Sequence, residues 1–99
     1  MTTTDKDPSI QRLLRQLDPQ ARRWRVVDHW EADLCAIGIA GVTDPGRLVY
    51  ISTYEADPDR YHFECEVGRG SAPDDYEVTK TGENVTFAEL LIVMEDHLE

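Results

Sequence analysis

Cysteine is scarce in this chain, with Cys35 and Cys65 alone among 99 residues. They form no C-x-x-C pair and no disulfide framework, so both are expected to be free, buried thiols. No apolar run reaches the roughly 18 residues of a spanning helix, and no signal-type apolar stretch is present. A cytoplasmic location is therefore expected, without secretion or a membrane span. Basic side chains are few: ten Lys and Arg face twenty Asp and Glu, for a formal net charge of -10. Such an excess repels phosphate backbones and anionic bilayers, which excludes nucleic acid and membrane surfaces as partners. Internal repeats and low-complexity tracts are also missing.

Active-site patterns are thin as well. A zinc site wants three or four converging ligands, often in close Cys or His pairs. Here His29, His62 and His97 are scattered, so no metal and no cofactor is expected. Glu64 and Glu66 are a conceivable carboxylate pair, but an open strand face lacks the water-excluding cleft that such chemistry exploits. "GRGS" at 68–71 lacks the lysine and the following helix of a phosphate-binding loop. Ser52 has no evident base, and both cysteines read as inward. A non-catalytic protein is the expectation.

What is present argues for a folded globule. Hydrophobic residues make up 40% of the chain and include two tryptophans, too many for a disordered acidic tail. The length sets one domain over 1–99, with 1–7 read as disordered, and a single core without a deep interdomain cavity. Charge is lopsided: residues 1–25 carry six basic against three acidic side chains, while 26–99 carry four against seventeen. An acidic body of this kind implies either a basic partner or simple solubility.

Pro8 opens a helix, and Ile10, Leu13, Leu14 and Leu17 follow at helical spacing until Asp18-Pro19 ends it. "WRVVDHW" (24–30) is a β-branched and aromatic strand, "EAD" a turn, and "LCAIGIA" (34–40) a second, nearly all-apolar strand. "TDPG" turns the chain into "RLVYISTY" (47–54), and "EADPD" leads to the alternating "RYHFECEV" (60–67). After the loop "GRGSAPDD", "YEVTKT" (76–81) is a short fifth strand closed by a Gly82-Glu83-Asn84 turn. Thr86 and Glu89 form a capping box opening a helix over 87–98. Its stripe is Phe87, Leu90, Leu91, Met94 and Leu98, widened by Ile92 and Val93. The fold class is α+β: an antiparallel four- to five-stranded meander sheet with an N-terminal and a C-terminal helix on one face, in the order α-β-β-β-β-β-α.

Strand parity then assigns faces. Tyr61, Phe63, Cys65 and Val67 point to the core, as do Val49, Ile51, Cys35, Ile37 and Ile39. Trp24, Val26, Asp28 and Trp30 share the inner side of the first strand. That places the Asp28 carboxylate in an apolar row, where a charge without partners is costly. Either the strand bulges there, or Asp28 accepts hydrogen bonds from a donor such as Arg12 or Arg15, as a structural buried polar group. The outward set is His29, Ala36, Gly38, Tyr50, Tyr54, His62, Glu64 and Glu66. Tyrosine gives large contact area at low entropic cost, so this face is the expected partner-binding surface. The acidic loops extend it through Glu55, Asp57, Asp59, Asp74 and Asp75.

In size, charge and the runs "RWRVVDHWEADLCAIGIAG", "YHFECEV" and "VTFAELLIVMEDHL", the chain resembles the small acidic immunity proteins of bacterial polymorphic-toxin and contact-dependent inhibition systems. That resemblance implies a cytoplasmic protein that binds a cognate toxin and blocks its active site, without catalysis of its own. Against a nuclease toxin the acidic surface would mimic the phosphate backbone. The expected function is accordingly that of an acidic binding protein with a basic protein partner. Two alternatives stand beside it: a small enzyme or ligand-binding domain using Asp28, His29 and His62, and a self-associating structural subunit, for example a homodimer.

Overall fold

The computed structural model describes residues 6–27, 33–42, 46–68 and 76–99. In chain order its elements are α1 (Pro8–Leu17), β1 (Trp24–Val27), β2 (Ala36–Gly41), β3 (Arg47–Ser52), β4 (Arg60–Gly68), β5 (Tyr76–Thr86) and α2 (Phe87–Leu98). The five strands form one antiparallel sheet in sequential order, β1-β2-β3-β4-β5. The α+β meander with a helix at each end is thus the observed architecture. No helix among the described residues is long and apolar enough to cross a membrane.

Both helices start where side-chain chemistry satisfies free backbone N–H groups. Asp7 caps α1, its carboxylate accepting from the Ser9 amide at 3.0 Å, and Pro8 occupies the first turn. Thr86 and Glu89 cap α2 reciprocally: Glu89 N–H donates to Thr86 Oγ1 at 3.1 Å, and Thr86 N–H donates to Glu89 Oε1 at 3.0 Å. At the far end of α1, Asp18 takes a left-handed conformation (φ 47°) and donates its N–H to the Leu14 carbonyl. Proline at 19 disfavours further helix, and the turn that follows delivers the chain to Trp24.

Ile10, Leu13 and Leu17 of α1 and Leu90, Met94 and Leu98 of α2 are buried against one side of the sheet. The sheet answers with rows set by register. Ile37, Ile51 and Phe63 lie side by side, opposite Gly82 on β5, and Val26, Ile39, Val49 and Cys65 make the next row. Each aliphatic or aromatic side chain so buried contributes about 1.5–3 kcal/mol. Cys65 is a buried free thiol whose pKa is pushed up by burial, as an apolar core residue should be.

Ahead of α1, Lys6 is buried and donates from Nζ to the Asp33 carbonyl at 2.8 Å, and Asp7 N–H donates to the Leu34 carbonyl. Several expected strand bounds are corrected. The second strand begins at Ala36, because Asp33 Oδ1 accepts the Cys35 N–H and holds 33–35 in a turn. This leaves Cys35 half-buried ahead of the strand. The third strand ends at Ser52, whose hydroxyl accepts from Tyr54 N–H, and Glu55 follows at φ 59°. The fifth strand does not stop at Thr81. It continues to Thr86 past a register shift between Gly82 and Val85, with Asn84 at φ 56°. Gly82-Glu83-Asn84 is therefore part of a bulge and not a chain reversal. Ile92 lies on the exposed side of α2 at 66% exposure, away from the apolar stripe.

Candidate partner-binding surface

The sheet side away from the helices carries two cross-strand rows. One runs Val27, Gly38, Tyr50, Glu64, Thr81, and the other Arg25, Ala40, Leu48, Glu66, Val78. Tyr50 and Glu64 are direct neighbours, as are Leu48 and Glu66. Tyr50 reaches along the face, its hydroxyl donating to Asp33 Oδ2 at 3.4 Å. Partial burial and then the Asp33 charge raise the Tyr50 pKa, so the ring presents a neutral phenol.

Glu66 departs from the expectation of an exposed carboxylate. It is 7% exposed, enclosed in a row whose Leu48 is fully buried. Burial first, then the charge and hydrogen bond of Glu64, raise its pKa above the ordinary carboxylate value. Parity placed Glu66 on the correct side, but that side is not uniformly wet. On the other side of the chain, buried His97 donates from Nε2 to the Glu66 carbonyl at 3.0 Å, tying α2 to β4.

His62 is committed to the backbone. Asn84 N–H donates to its Nδ1 at 3.0 Å, so Nε2 carries the proton and donates to the Tyr54 carbonyl at 3.1 Å. Neither nitrogen has a lone pair or proton to spare for a substrate in this arrangement. The ring instead joins the β5 bulge to the loop after β3. Asn84 completes the link, exchanging two hydrogen bonds with Asp57: Asp57 N–H to Asn84 Oδ1 at 3.0 Å, and Asn84 Nδ2 to Asp57 Oδ2 at 2.9 Å.

The acidic loop is thereby fastened. Glu55, Asp57 and Asp59 are exposed, Asp59 3.8 Å from the Arg12 guanidinium of α1. Tyr54 sits beside them at 65% exposure, on the turn after β3 and not in the strand row of Tyr50. The loop borders an open concavity of about 410 Å³ that also touches Asp7, Arg12 and Cys35. A second concavity of about 470 Å³ lies on the sheet face between Tyr50, His62, Glu64, Thr81 and Glu83.

The expected binding residues thus fall in two adjoining groups. Tyr54, Glu55, Asp57 and Asp59 are on the loop, Tyr50, His62, Glu64 and Glu66 are on the face, and His62 bridges them. Asp74 and Asp75 lie outside the described residues, as do Asp28 and His29. Thr81, Glu83 and Asp33 belong to the same surface although the sequence reading left them out. The signal for Glu83 was non-local, since β5 stays paired beyond Thr81 only through its bulge, and Asp33 joins the surface through the Tyr50 hydroxyl. Among the described residues no group of three or more metal-ligating side chains converges. No protein-family model, curated protein or solved structure matches the chain.

Proposed function

We propose that this chain is a non-catalytic acidic binding protein, an immunity- or antitoxin-like inhibitor that covers a basic surface of another protein. One observation carries the reading: exposed Tyr54, Glu55, Asp57 and Asp59 are braced through Asn84 and His62 against the Tyr50–Glu64 face. A braced acidic loop next to tyrosines loses little conformational freedom on binding, and its charge speeds encounter with a basic partner. The commitment of both His62 nitrogens weighs against that residue as a general base. Self-association through the β5 edge is disfavoured by Glu77, Lys80 and Glu83 along it and by its bulges, which blunt edge pairing.

The test is capture from the native cell by the wild type, by a Tyr54→Ser/Glu55→Gln/Asp59→Asn/Glu64→Gln variant, and by Asp96→Asn on the exposed side of α2. A single stoichiometric basic protein should be retained by the wild type and Asp96→Asn, lost with the fourfold variant, and released by salt. Equal capture by all three, or no stoichiometric partner, would sink the reading.

A further inference from the structure

Tyr61 leaves one group unused. Its ring belongs to the core, opposite Val85 of β5, and the residue is only 4% exposed. Yet its hydroxyl meets no hydrogen-bond partner among the described residues. The oxygen is not sealed in: it opens into the concavity of about 410 Å³ that Tyr61 shares with Arg12 and the loop after β3. Polar groups this deep are as a rule paired, so the leftover hydroxyl at the floor of the cleft is one that a ligand can satisfy.

The surrounding groups set the chemistry of that ligand. Four carboxylates and two guanidiniums line the cleft, so a cation is favoured over an anion. Two of the carboxylates are already occupied: Asp7 accepts from the Ser9 amide and hydroxyl, and Asp57 accepts from Asn84 Nδ2. Arg60 donates to the Asn84 carbonyl at 3.3 Å, and the Ser9 and Thr53 hydroxyls bond each other at 2.8 Å. Glu55 is exposed and has no partner among the described residues. Asp59 approaches Arg12 only to 3.8 Å, longer than a hydrogen bond, and both side chains are more than half exposed. Burial first, then the Asp59 charge, raises the Tyr61 pKa while Arg12 lowers it, as expected if both charges flank the hydroxyl.

We infer that this cleft seats one arginine side chain of the basic partner, its guanidinium held by Glu55 and Asp59 with the Tyr61 hydroxyl at the floor. The assignment rests on the binding function proposed for the chain and gives it a specific contact. A guanidinium carries five N–H donors in one plane, enough to reach two carboxylates and a phenol oxygen together, whereas an ammonium has three on a compact head. The phenol oxygen accepts from the guanidinium and donates its own O–H to a carboxylate oxygen. Tyr54 at the rim offers a ring face to the planar cation. Arg12 competes for Asp59, so the loose ion pair of the free chain is exchanged for the closer one of the complex.

The probe is acetyl-Gly-Arg-Gly-amide, titrated into the whole chain at about 0.15 M salt while its amide resonances are followed, with the lysine and glutamine peptides of the same frame beside it. The arginine peptide should give saturable shifts at Glu55, Asp59 and Tyr61, the lysine peptide about tenfold weaker binding, and the glutamine peptide none. Tyr61→Phe keeps the ring, so its urea midpoint should not fall, and it should bind the arginine peptide about tenfold more weakly. Arg12→Gln frees Asp59 and should tighten binding several-fold, while Arg15→Gln, the same charge change outside the cleft, should not. A lower urea midpoint for Tyr61→Phe would mean that the hydroxyl serves the fold, and would overturn the assignment. Equal effects of the two arginine variants, or equal binding of the lysine peptide, would do the same by reducing the contact to general charge. Shifts centred on Tyr50 and Glu64 would move the contact to the sheet face, ending this seat and leaving the acidic-surface reading intact. No response to the peptide ends the seat alone, because the binding function stands or falls with capture of the whole partner.

Discussion

Gly82 is opposite Phe63 in the register, and the aromatic ring covers the place where a side chain would begin. An alanine methyl there would meet the ring, with Cζ at 2.6 Å, and the ring itself is buried in the core. Gly82→Ala should therefore destabilise the chain by about 1–3 kcal/mol, the usual cost of overpacking. Chemical denaturation should show most of that loss recovered when Phe63→Leu is added, because the smaller side chain vacates the site. An unchanged loss in the double variant would mean that the backbone, not the ring, is what excludes alanine. Glu66 makes the second residue-scale prediction. Its folded pKa is raised above the ordinary value of 4.5, so its stabilising contribution is complete below that pH and is lost as pH rises through the folded value. Glu66→Gln removes that loss. The variant should be more stable than the wild type at neutral pH, with the difference closing on acidification below pH 4.5. Urea midpoints across pH measure this, and a less stable variant at neutrality contradicts it.

At the scale of elements, α2 depends on its capping box. Thr86→Ala removes the acceptor for Glu89 N–H and should cost about 1 kcal/mol. Glu89 is held below the ordinary carboxylate pKa by the Thr86 amide and hydroxyl, so its contribution is present above the ordinary value and lost as pH falls through the folded one. Glu89→Gln should therefore lessen acid sensitivity, read from thermal unfolding at a series of pH values, and an acid loss equal to that of the wild type would show that the carboxylate contributes nothing to the cap. Both helices were legible in the sequence because their signals are local: a cap, a helical apolar spacing, and a proline just beyond α1. Among the described residues, the strand order and the inward and outward sides of the strands were legible by parity. The extent of β5 was not, since Gly82 and Asn84 suit a turn and a bulge equally, and Phe63 on the neighbouring strand decides between them. Glu66 was hidden for a related reason. Alternation gives the side of the sheet, while burial depends on the Leu48 that register brings alongside. Tyr54 fell off the face through one hydrogen bond, from its own amide to Ser52.

Across the whole molecule the dominant electrostatic fact is asymmetry, with an N-terminal quarter at +3 and the remainder at -13. Repulsion within the acidic body opposes compaction, and attraction between the two parts favours it. The attractive contacts on display are exposed, Arg12–Asp59 at 3.8 Å and Arg22–Glu95 at 3.3 Å, and pairs of this kind contribute about 0–1 kcal/mol each. Repulsion among seventeen acids near a few cations outweighs them. Salt shortens the reach of both, to about 10 Å at 0.1 M. The closest pairs are affected least and the many longer repulsions most. Added sodium chloride at neutral pH should therefore raise the melting temperature. Relief of about 1 kcal/mol corresponds to roughly 4–8 °C in a chain of this size. The same salt should weaken capture of a basic partner, because that attraction acts between exposed surfaces. Scanning fluorimetry and binding measured over one salt series would show the two trends in opposite directions. A melting temperature that falls with salt would mean that α1 and the turn after it are held to the acidic body chiefly by charge, and the bracing of the acidic loop would then rest on Arg12 more than on Asn84.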